Sequence, residues 1–441
     1  MTPLFGAARG YIEKDAARFH MPGHKGFLPP PLHEAAPYDL TEIDGLDSLY
    51  EAGGALAEME AEYSALYGTA ASFLSAGGST LCIQAMLALA LMPGDKLVCA
   101  RGVHTAAVNA MALLDVDPVW VYPRGDAVTG LMGAVAPGDV EKALESCPDA
   151  RAVYITSPTY LGVMADISGI AAVCSRYGVP LLVDNAHGAH LRFLQTPLHP
   201  IGLGAAMCAD SLHKTLPVLT GGALLHIADK RYRADARRKM ALFGSTSPSY
   251  LIMLSCDRAL DYINNEARGD MARLASEIKG LKKTAAERGF GFPDGLIDPL
   301  RLTLDFTALG YTGSLFGAYA RQKGIEPEYL GARHGVFLAG PGNTAGDFAR
   351  LRDMIADIPR LKPYDLEAVL LEPPRRACSL RQAIFAPGKV LPLHQCRGRI
   401  AAAVVAPCPP GMPVTVPGEI ITDAHMLIYK NYGIFEINVV E

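Results

Sequence analysis

The chain has 441 residues, of which 50% are hydrophobic and 19% are charged, and its formal net charge is −5 at pH 7. That length predicts two to four domains and allows a large core. A slightly acidic chain without a block of basic residues is not typical of a nucleic-acid-binding protein. The sequence also lacks a signal-peptide pattern and an apolar run long enough to span a bilayer, so we expect a cytoplasmic protein without a membrane or nucleic-acid partner.

The nine cysteines are scattered along the chain without a CxxC pair. This distribution predicts reduced thiols in the core of a cytoplasmic protein, and it argues against disulfides and against a zinc site. His187 and His190 are spaced so that both could face one metal ion, but no cysteine or acidic cluster accompanies them. We therefore expect no metal centre at these histidines.

The first 38 residues are predicted to form an arm that docks on another surface. Proline and glycine in residues 18–31 oppose a regular helix or strand there. The histidines and basic side chains of residues 18–25 suggest a contact with an anion or an active site, although a solvated basic arm would have the same composition. The acidic residues 39–50 could supply carboxylates to a basic substrate, or they could form an ordinary soluble loop.

A glycine-rich turn precedes a long apolar helix. Residues 55–66 show apolar side chains at helical spacing, and Gly68 ends that pattern. After it, the sequence Gly-Gly-Ser-Thr at residues 77–80 opens a helix predicted to run to residue 92. Backbone N–H groups and the positive end of a helix bind phosphate well at such a turn. Ordinary N-capping by the serine or threonine is the alternative interpretation.

Short apolar runs then alternate with helical or loop segments, which predicts an α/β fold with a mostly parallel sheet. The predicted strands are residues 96–100, 119–122, 152–156, 181–184, 205–209 and 223–227. His104 follows the first of them, where its ring could stack on a flat cofactor or could simply hydrogen-bond within a loop.

Two of these strand ends carry side chains that are suited to binding one cofactor together. Asp184 ends the fourth strand, and Lys214 follows the fifth. A lysine can hold pyridoxal 5′-phosphate (PLP) as a Schiff base while a buried carboxylate pairs with the pyridinium nitrogen. Taken singly, the acid reads as a turn former and the lysine as a surface charge. Four further polar side chains crowd the same strand ends, where α/β proteins bind ligands: His187, His190, Ser211 and His213.

The rest of the chain predicts two smaller domains. Residues 251–288 are helical in pattern, and residues 301–306 and 335–338 resemble strands. The proline-rich C-terminal part cannot form central strands, which indicates a small α+β domain. We expect four parts, which are an N-terminal arm (1–38), a large PLP-binding domain (39–255), a small α/β domain (256–362) and a C-terminal domain (363–441).

These motifs together resemble the PLP-dependent ornithine/lysine/arginine decarboxylases of fold-type I, the aspartate-aminotransferase-like architecture. The resemblance covers nearly the whole chain. It is carried by residues 19–25, 78–80, 184–190, 211–216 and 245–250, by the Pro-Pro-Gly at 409–411 and by the Pro-Gly-Glu at 417–419.

The resemblance implies a role for each motif. Lys214 would be the Schiff-base lysine, Asp184 the partner of the pyridine nitrogen, and His104 the ring that stacks on the cofactor, with His187 alongside. The implied cofactor-binding set further contains Gly78, Ser79, Thr80, Ser211, His213 and Thr246. The loop at 245–250 reaches the neighbouring subunit in the family, which implies a homodimer with shared active sites or a higher oligomer built from it.

The chain departs from the family pattern on the substrate side. Ala403 and Cys408 stand where an acid and a tyrosine are common, and Asn185 stands where glutamate is common. The stacking histidine is followed by Thr-Ala instead of Lys-Ser. The expected activity is decarboxylation of lysine, arginine or ornithine to CO2 and a polyamine-type amine. The alternatives are an aminotransferase or lyase of the same fold, or a non-catalytic homologue that retains PLP.

Overall fold

The computed structural model describes residues 1–123, 133–363, 373–406 and 413–441 of the chain. These residues divide into two compact units. The first unit contains Met1–Ala90 and Pro180–Ala272, and the second contains Leu91–Val179 and Arg273–Glu441.

Helices and strands alternate through most of the chain. The helices are α1 Pro3–Glu13, α2 Ala55–Tyr67, α3 Gly78–Ala90, α4 Thr105–Leu114, α5 Pro137–Ser146, α6 Ile167–Tyr177, α7 Leu212–Thr215, α8 Arg233–Ala241, α9 Tyr250–Asn265, α10 Ala267–Arg288, α11 Gly313–Gln322, α12 Ala345–Asp357, α13 Leu380–Phe385 and α14 Asp423–Asn431. The strands are β1 Ala71–Ser75, β2 Lys96–Ala100, β3 Asp117–Val121, β4 Ala150–Thr156, β5 Val163–Met164, β6 Leu181–Asp184, β7 Met207–Asp210, β8 Ala223–Ile227, β9 Leu296–Ile297, β10 Arg301–Asp305, β11 Tyr329–Leu330, β12 His334–Leu338, β13 Gly388–Pro392 and β14 Glu436–Val440.

Four strands of the first unit lie in the order β1-β8-β7-β6. β6 runs parallel to β7, while β8 is antiparallel to both β7 and β1. The register pairs Asp184 with Ala209, so β6 and β7 end side by side. Side chains that follow these two strands therefore emerge at the same edge of the sheet, which is where α/β folds place ligands.

The sheet of the first unit lies inside its core. Every residue of β1, β6, β7 and β8 is buried, and α3 packs against β7 and β8. Buried strands read as nearly continuous apolar runs, which is why the sequence predicts β6, β7 and β8. β1 contains Ser72 and Ser75 and was not among the predicted strands.

The N-terminal arm begins with a helix that the sequence pattern did not predict. Helix α1 starts at a proline, and the carboxylate of Asp257 accepts hydrogen bonds from the N–H groups of Leu4 and Phe5 at 3.1 and 2.8 Å. A distant acid thus satisfies two of the N–H groups that a helix start leaves unpaired. The expectation of irregular structure holds for residues 14–31, where the proline and glycine lie.

The second unit contains parallel and antiparallel strands. β2 pairs in parallel with β3 and with β4, and β10, β12 and β11 form a separate antiparallel sheet. Near the C-terminus, β13 pairs with β14, and a small cluster of buried side chains packs beside Tyr429. The unit thus combines α/β structure with the small α+β part that the prolines predicted.

Most predicted strands are confirmed, and the differences have local causes. β2, β6 and β8 have the predicted bounds, whereas β3 starts two residues early and includes Pro118. A proline is tolerated there because β3 is the last strand in the order β4-β2-β3. The predicted long helix is broken at Glu266 into α9 and α10. The four domain boundaries remain a prediction.

None of the helices among the described residues combines the length and the hydrophobicity needed to cross a bilayer.

Candidate active site

Asp184 lies at the buried end of β6, where the following turn holds it in place. Its side chain is 2% exposed, and its Oδ1 accepts a hydrogen bond from the N–H of Ala186 at 3.1 Å. The turn closes where the N–H of Gly188 donates to the carbonyl of Asn185 at 2.7 Å. A carboxylate that a backbone donor holds at a strand end is preorganised to meet a cationic partner.

Lys214 lies in the short helix α7 that follows β7, and it contacts a histidine of the β6 turn. The distance between Lys214 Nζ and His187 Nε2 is 3.1 Å. One nitrogen of such a pair must donate while the other accepts, so the two groups share a proton position. The pair therefore brings together the residue that the resemblance makes the Schiff-base lysine and the histidine that it places alongside the cofactor.

The start of helix α3 lies next to the residue that precedes this short helix. Ser211 Oγ donates to Ser79 Oγ at 2.8 Å, which joins the end of β7 to the first turn of α3. Gly78 has a φ of +69°, and a Cβ at this position would meet no atom within 4 Å. The helix start thus combines hydroxyl groups with open space and with the positive end of a 13-residue helix. Such a site suits a phosphate group.

His213 is half-buried beside Lys214. Its Nδ1 donates to the carbonyl of Gly222 at 3.0 Å, because a carbonyl can only accept. Burial lowers the pKa of this histidine. A neutral ring whose Nδ1 carries the proton leaves Nε2 as an acceptor.

The donor set of the first unit fits PLP. The amine of Lys214, the buried carboxylate of Asp184 and the open helix start at Gly78 match the aldehyde, the pyridine nitrogen and the phosphate of that cofactor.

Three other predicted site residues are exposed, and one of them, Thr80, lies next to Ser79 in the first turn of α3. His104 is in the second unit, where its exposed ring caps α4 and its Nδ1 accepts from the N–H of Ala106 at 3.1 Å. Thr80 and Thr246 are exposed, the latter in the loop between α8 and α9. Their contacts with the cofactor remain predictions. Cys408 and the Pro-Pro-Gly at 409–411 lie outside the described residues.

The acidic segment at residues 39–50 has structural partners for two of its carboxylates. Asp47 accepts hydrogen bonds from the N–H groups of Gly54 and Leu56 at the start of α2, and Asp39 lies 3.1 Å from His24. These contacts favour a structural role for both residues over a direct role in substrate binding.

Sequence reasoning missed a buried polar cluster at the end of β7. Asp210 is 0% exposed and accepts hydrogen bonds from Asn185 Nδ2 at 2.7 Å, His199 Nε2 at 2.9 Å and Cys208 Sγ at 3.2 Å. His226 Nε2 lies 3.4 Å from the same carboxylate. The available signal was an acid at the last position of a fully buried strand, since such a charge requires partners.

The ligand atoms of His199, Cys208 and Asp210 lie within 4.8 Å of one another, a spacing that would allow them to bind one metal ion. The Nδ1 of His199 accepts from the N–H of Ile201, which leaves the ring proton on Nε2, where it is donated to Asp210. A metal ion would need the lone pair of that same Nε2. The donors therefore favour a hydrogen-bond network over a metal site.

Comparisons with known proteins agree with the geometry. The family model for the Orn/Lys/Arg decarboxylase major domain matches residues 2–292, and the model for the C-terminal domain of that family matches residues 375–433. The chain is 29% identical to an arginine decarboxylase of Bacillus subtilis over 98% of this chain and 93% of that protein. It is 22% identical to the constitutive lysine decarboxylase of Escherichia coli, over 96% of this chain and 76% of that protein.

Solved structures share the fold. The lysine decarboxylase of Francisella novicida superposes with a TM-score of 0.84 at 16% identity, covering 100% of this chain and 81% of that one. This similarity confirms the fold-type I architecture that the motifs predicted. With the two family models covering most of its length, the chain belongs to the Orn/Lys/Arg decarboxylase family and so to the amino-acid decarboxylases.

Proposed function

We propose that this protein is a PLP-dependent decarboxylase that converts lysine, arginine or ornithine to CO2 and the corresponding amine. The observation that carries the proposal is the 3.1 Å contact between Lys214 Nζ and His187 Nε2, made by residues that follow two adjacent parallel strands. The buried Asp184 ends the first of these strands.

Each of these side chains has a definite part in binding the cofactor. Lys214 would attach PLP covalently, and Asp184 would pair with the ring nitrogen. The phosphate would be bound by Gly78, Ser79, Thr80 and Ser211, and also by His213 when its ring is protonated, because Nε2 of the neutral ring only accepts. When bound, PLP withdraws the electron pair that remains at Cα after CO2 departs.

The protein residues supply charge and protons. The negative charge of Asp184, shielded from water, favours protonation of a nitrogen placed against it. When it is not bonded to the cofactor, the amine of Lys214 would be free to carry a proton. Because His187 Nε2 lies within hydrogen-bond distance of that amine, either group could deliver the proton to Cα.

We further propose a cytoplasmic homodimer. Three apolar side chains of the N-terminal arm are largely exposed, namely Phe19 (95%), Met21 (62%) and Phe27 (78%). Apolar groups that form a contiguous exposed patch are typical of protein interfaces, and these three side chains belong to one short segment of the arm. The cysteines within the described residues are free thiols, as a reducing compartment requires. Light scattering coupled to size-exclusion chromatography tests the dimer.

The absorbance spectrum of the purified protein tests the cofactor assignment. We expect a visible or near-ultraviolet band from covalently bound PLP that disappears in Lys214→Ala and persists in Lys230→Ala, which removes an exposed lysine of the same unit. A band that survives Lys214→Ala would show that the lysine assignment is wrong.

The activity requires a separate assay. Lysine, arginine and ornithine are each supplied to the holoenzyme, and released CO2 is measured beside keto-acid formation. We expect CO2 from at least one of the three amino acids. Keto acid without CO2 would identify an aminotransferase, whereas neither product would support the non-catalytic homologue.

A further inference from the structure

The buried carboxylate of Asp210 has no place in the chemistry proposed above, yet it directly precedes Ser211 and lies four residues before Lys214. It occupies the last position of β7, and it is 0% exposed. An ionised group at such a depth persists only where hydrogen bonds replace its water shell.

The neighbours of Asp210 provide those hydrogen bonds. One oxygen accepts from the amide of Asn185 at 2.7 Å and from the thiol of Cys208 at 3.2 Å. The other oxygen accepts from His199 at 2.9 Å, and the ring of His226 lies 3.4 Å away. The carboxylate is thus held from both sides and cannot rotate without losing donors.

The contact with Asn185 connects Asp210 to the candidate active site. Asn185 follows Asp184, and its N–H donates to the carbonyl of Ala209 at 3.0 Å. Its carbonyl accepts from Gly188 in the turn that carries His187. The side-chain bond from Asn185 to Asp210 therefore joins the end of β6 to the end of β7, one residue before the Ser211 that contacts Ser79.

We propose that Asp210 is a positioning residue. Its hydrogen bond to Asn185 holds the β6 and β7 strand ends in register, and this sets the distance between His187 and Lys214. The inference rests on the proposed function, because it assigns a purpose to that distance. Asp210 itself touches neither cofactor nor substrate in this assignment.

The pairing of an amide with a carboxylate provides a specific test. Asn185→Asp places two carboxylates against each other, and like charges at this distance repel. Asp210→Asn turns an amide donor toward either Asn185 or His199, both of which donate to the wild-type carboxylate. In the double variant Asn185→Asp/Asp210→Asn, the amide at 210 can donate to the carboxylate at 185 while its oxygen still accepts from His199. The exchange therefore preserves the bond with its direction reversed.

The experiment compares the wild-type holoenzyme with both single variants and the double variant. Each protein is titrated with acid and base while the visible absorbance of its bound PLP is followed, and kcat and KM are measured for the preferred substrate. We expect each single variant to move the pH midpoint of the band and to lower kcat about tenfold, since small misplacements of reacting groups are costly. We expect KM to change less. The double variant should be less impaired than either single variant, which is the signature of a direct interaction.

Asp257→Asn is the matched control. Asp257 is also a 0% exposed carboxylate of the first unit, but it holds the N-terminal helix α1. We expect Asp257→Asn to lower the unfolding temperature without changing kcat or the pH midpoint of the PLP absorbance band. If Asp210→Asn behaves like this control, the role of Asp210 is structural and the inference is wrong. Additive effects in the double variant would contradict it as well.

Two outcomes separate this inference from the proposed function. A wild-type protein that shows no PLP band, or a band that survives Lys214→Ala, overturns both. A normal wild-type band with an unchanged midpoint in Asp210→Asn overturns only the positioning role. If Asp210→Asn fails to fold, Asn185→Ser removes the hydrogen bond between Asn185 and Asp210 with a smaller change. The pH midpoint of the PLP band in Asn185→Ser then decides whether this bond positions the site.

Discussion

The guanidinium of Arg101 lies 3.0 Å from the carboxylate of Glu419, and these side chains are 1% and 2% exposed. Arg101 directly follows β2, and it also donates to the carbonyls of Pro413 and Val414 at 3.0 and 3.1 Å. The same carboxylate accepts from the N–H of Val416 at 2.8 Å. Within the second unit, this buried ion pair ties the end of β2 to the C-terminal segment.

Removal of one partner of this pair should be strongly destabilising. Arg101→Met leaves the carboxylate of Glu419 buried without its cation, and we expect the free energy of unfolding to fall by about 3–5 kcal/mol. The double variant Arg101→Met/Glu419→Gln removes the uncompensated charge and should be more stable than Arg101→Met alone. Chemical denaturation of the wild type, of Arg101→Met, of Glu419→Gln and of the double variant measures both effects. A double variant as unstable as the sum of its single changes would contradict the explanation.

Replacement of His187 should separate positioning from proton transfer. His187→Gln can still accept a hydrogen bond from Lys214, but it cannot transfer a proton at neutral pH. If His187 acts as an acid or base, we expect kcat to fall about 100-fold in both His187→Gln and His187→Phe. Steady-state rates with the preferred substrate measure this. Near-normal activity in His187→Gln alone would show that the histidine only orients Lys214.

The β6 turn should not accept a side chain at Gly188. A Cβ there would lie 2.0 Å from Asn185 Oδ1 and 2.8 Å from Leu191, and Asn185 cannot move away without breaking its bond to Asp210. We expect Gly188→Ala to lower the free energy of unfolding by about 1–3 kcal/mol. Gly202→Ala is the control, because a Cβ at Gly202 meets no atom within 4 Å. Equal stability of the two variants in denaturant would contradict this prediction.

His425 should make the protein less stable in mild acid. Burial, together with the nearby Arg101, lowers the pKa of His425 to about 4, whereas an unfolded histidine titrates near 6.5. As the pH falls below about 6.5, the unfolded chain binds a proton before the folded one does. The free energy of unfolding should therefore decline progressively from about pH 6.5 to pH 4, by at most roughly 3 kcal/mol for this group.

His425→Gln tests this assignment. Nδ1 of His425 accepts from the N–H of Thr422 in a capping box at the start of α14, and glutamine suits that position as well. The variant should keep its stability near pH 7 and lose less of it at pH 4.5 than the wild type. Denaturation curves at several pH values measure the difference. If the free energy of unfolding of His425→Gln falls with pH as steeply as that of the wild type, His425 does not cause the acid sensitivity.

The strands were predictable where burial requires a short local run of apolar residues. All residues of β6 and β8 are buried, so each strand is a short and mostly apolar run, with the exceptions of Asp184 at the end of β6 and His226 in β8. The break at Glu266 was not predictable, since the helical pattern continues on both sides of it. Helix α1 was missed because two of its first N–H groups depend on Asp257, which lies more than 240 residues further along the chain.

The sequence by itself determined the fold class, the family and the two strand ends that carry Asp184 and Lys214. These depend on residue type and spacing within short segments, which hydrophobic periodicity and motifs encode directly. Only the tertiary structure decided that His187 reaches Lys214 and that Asp210 has partners at positions 185, 199 and 208. Such contacts arise when strands separated in sequence pack side by side. Whether two groups then form a hydrogen bond depends on differences of about a few tenths of an ångström in the distance between them, and no local sequence pattern encodes these differences.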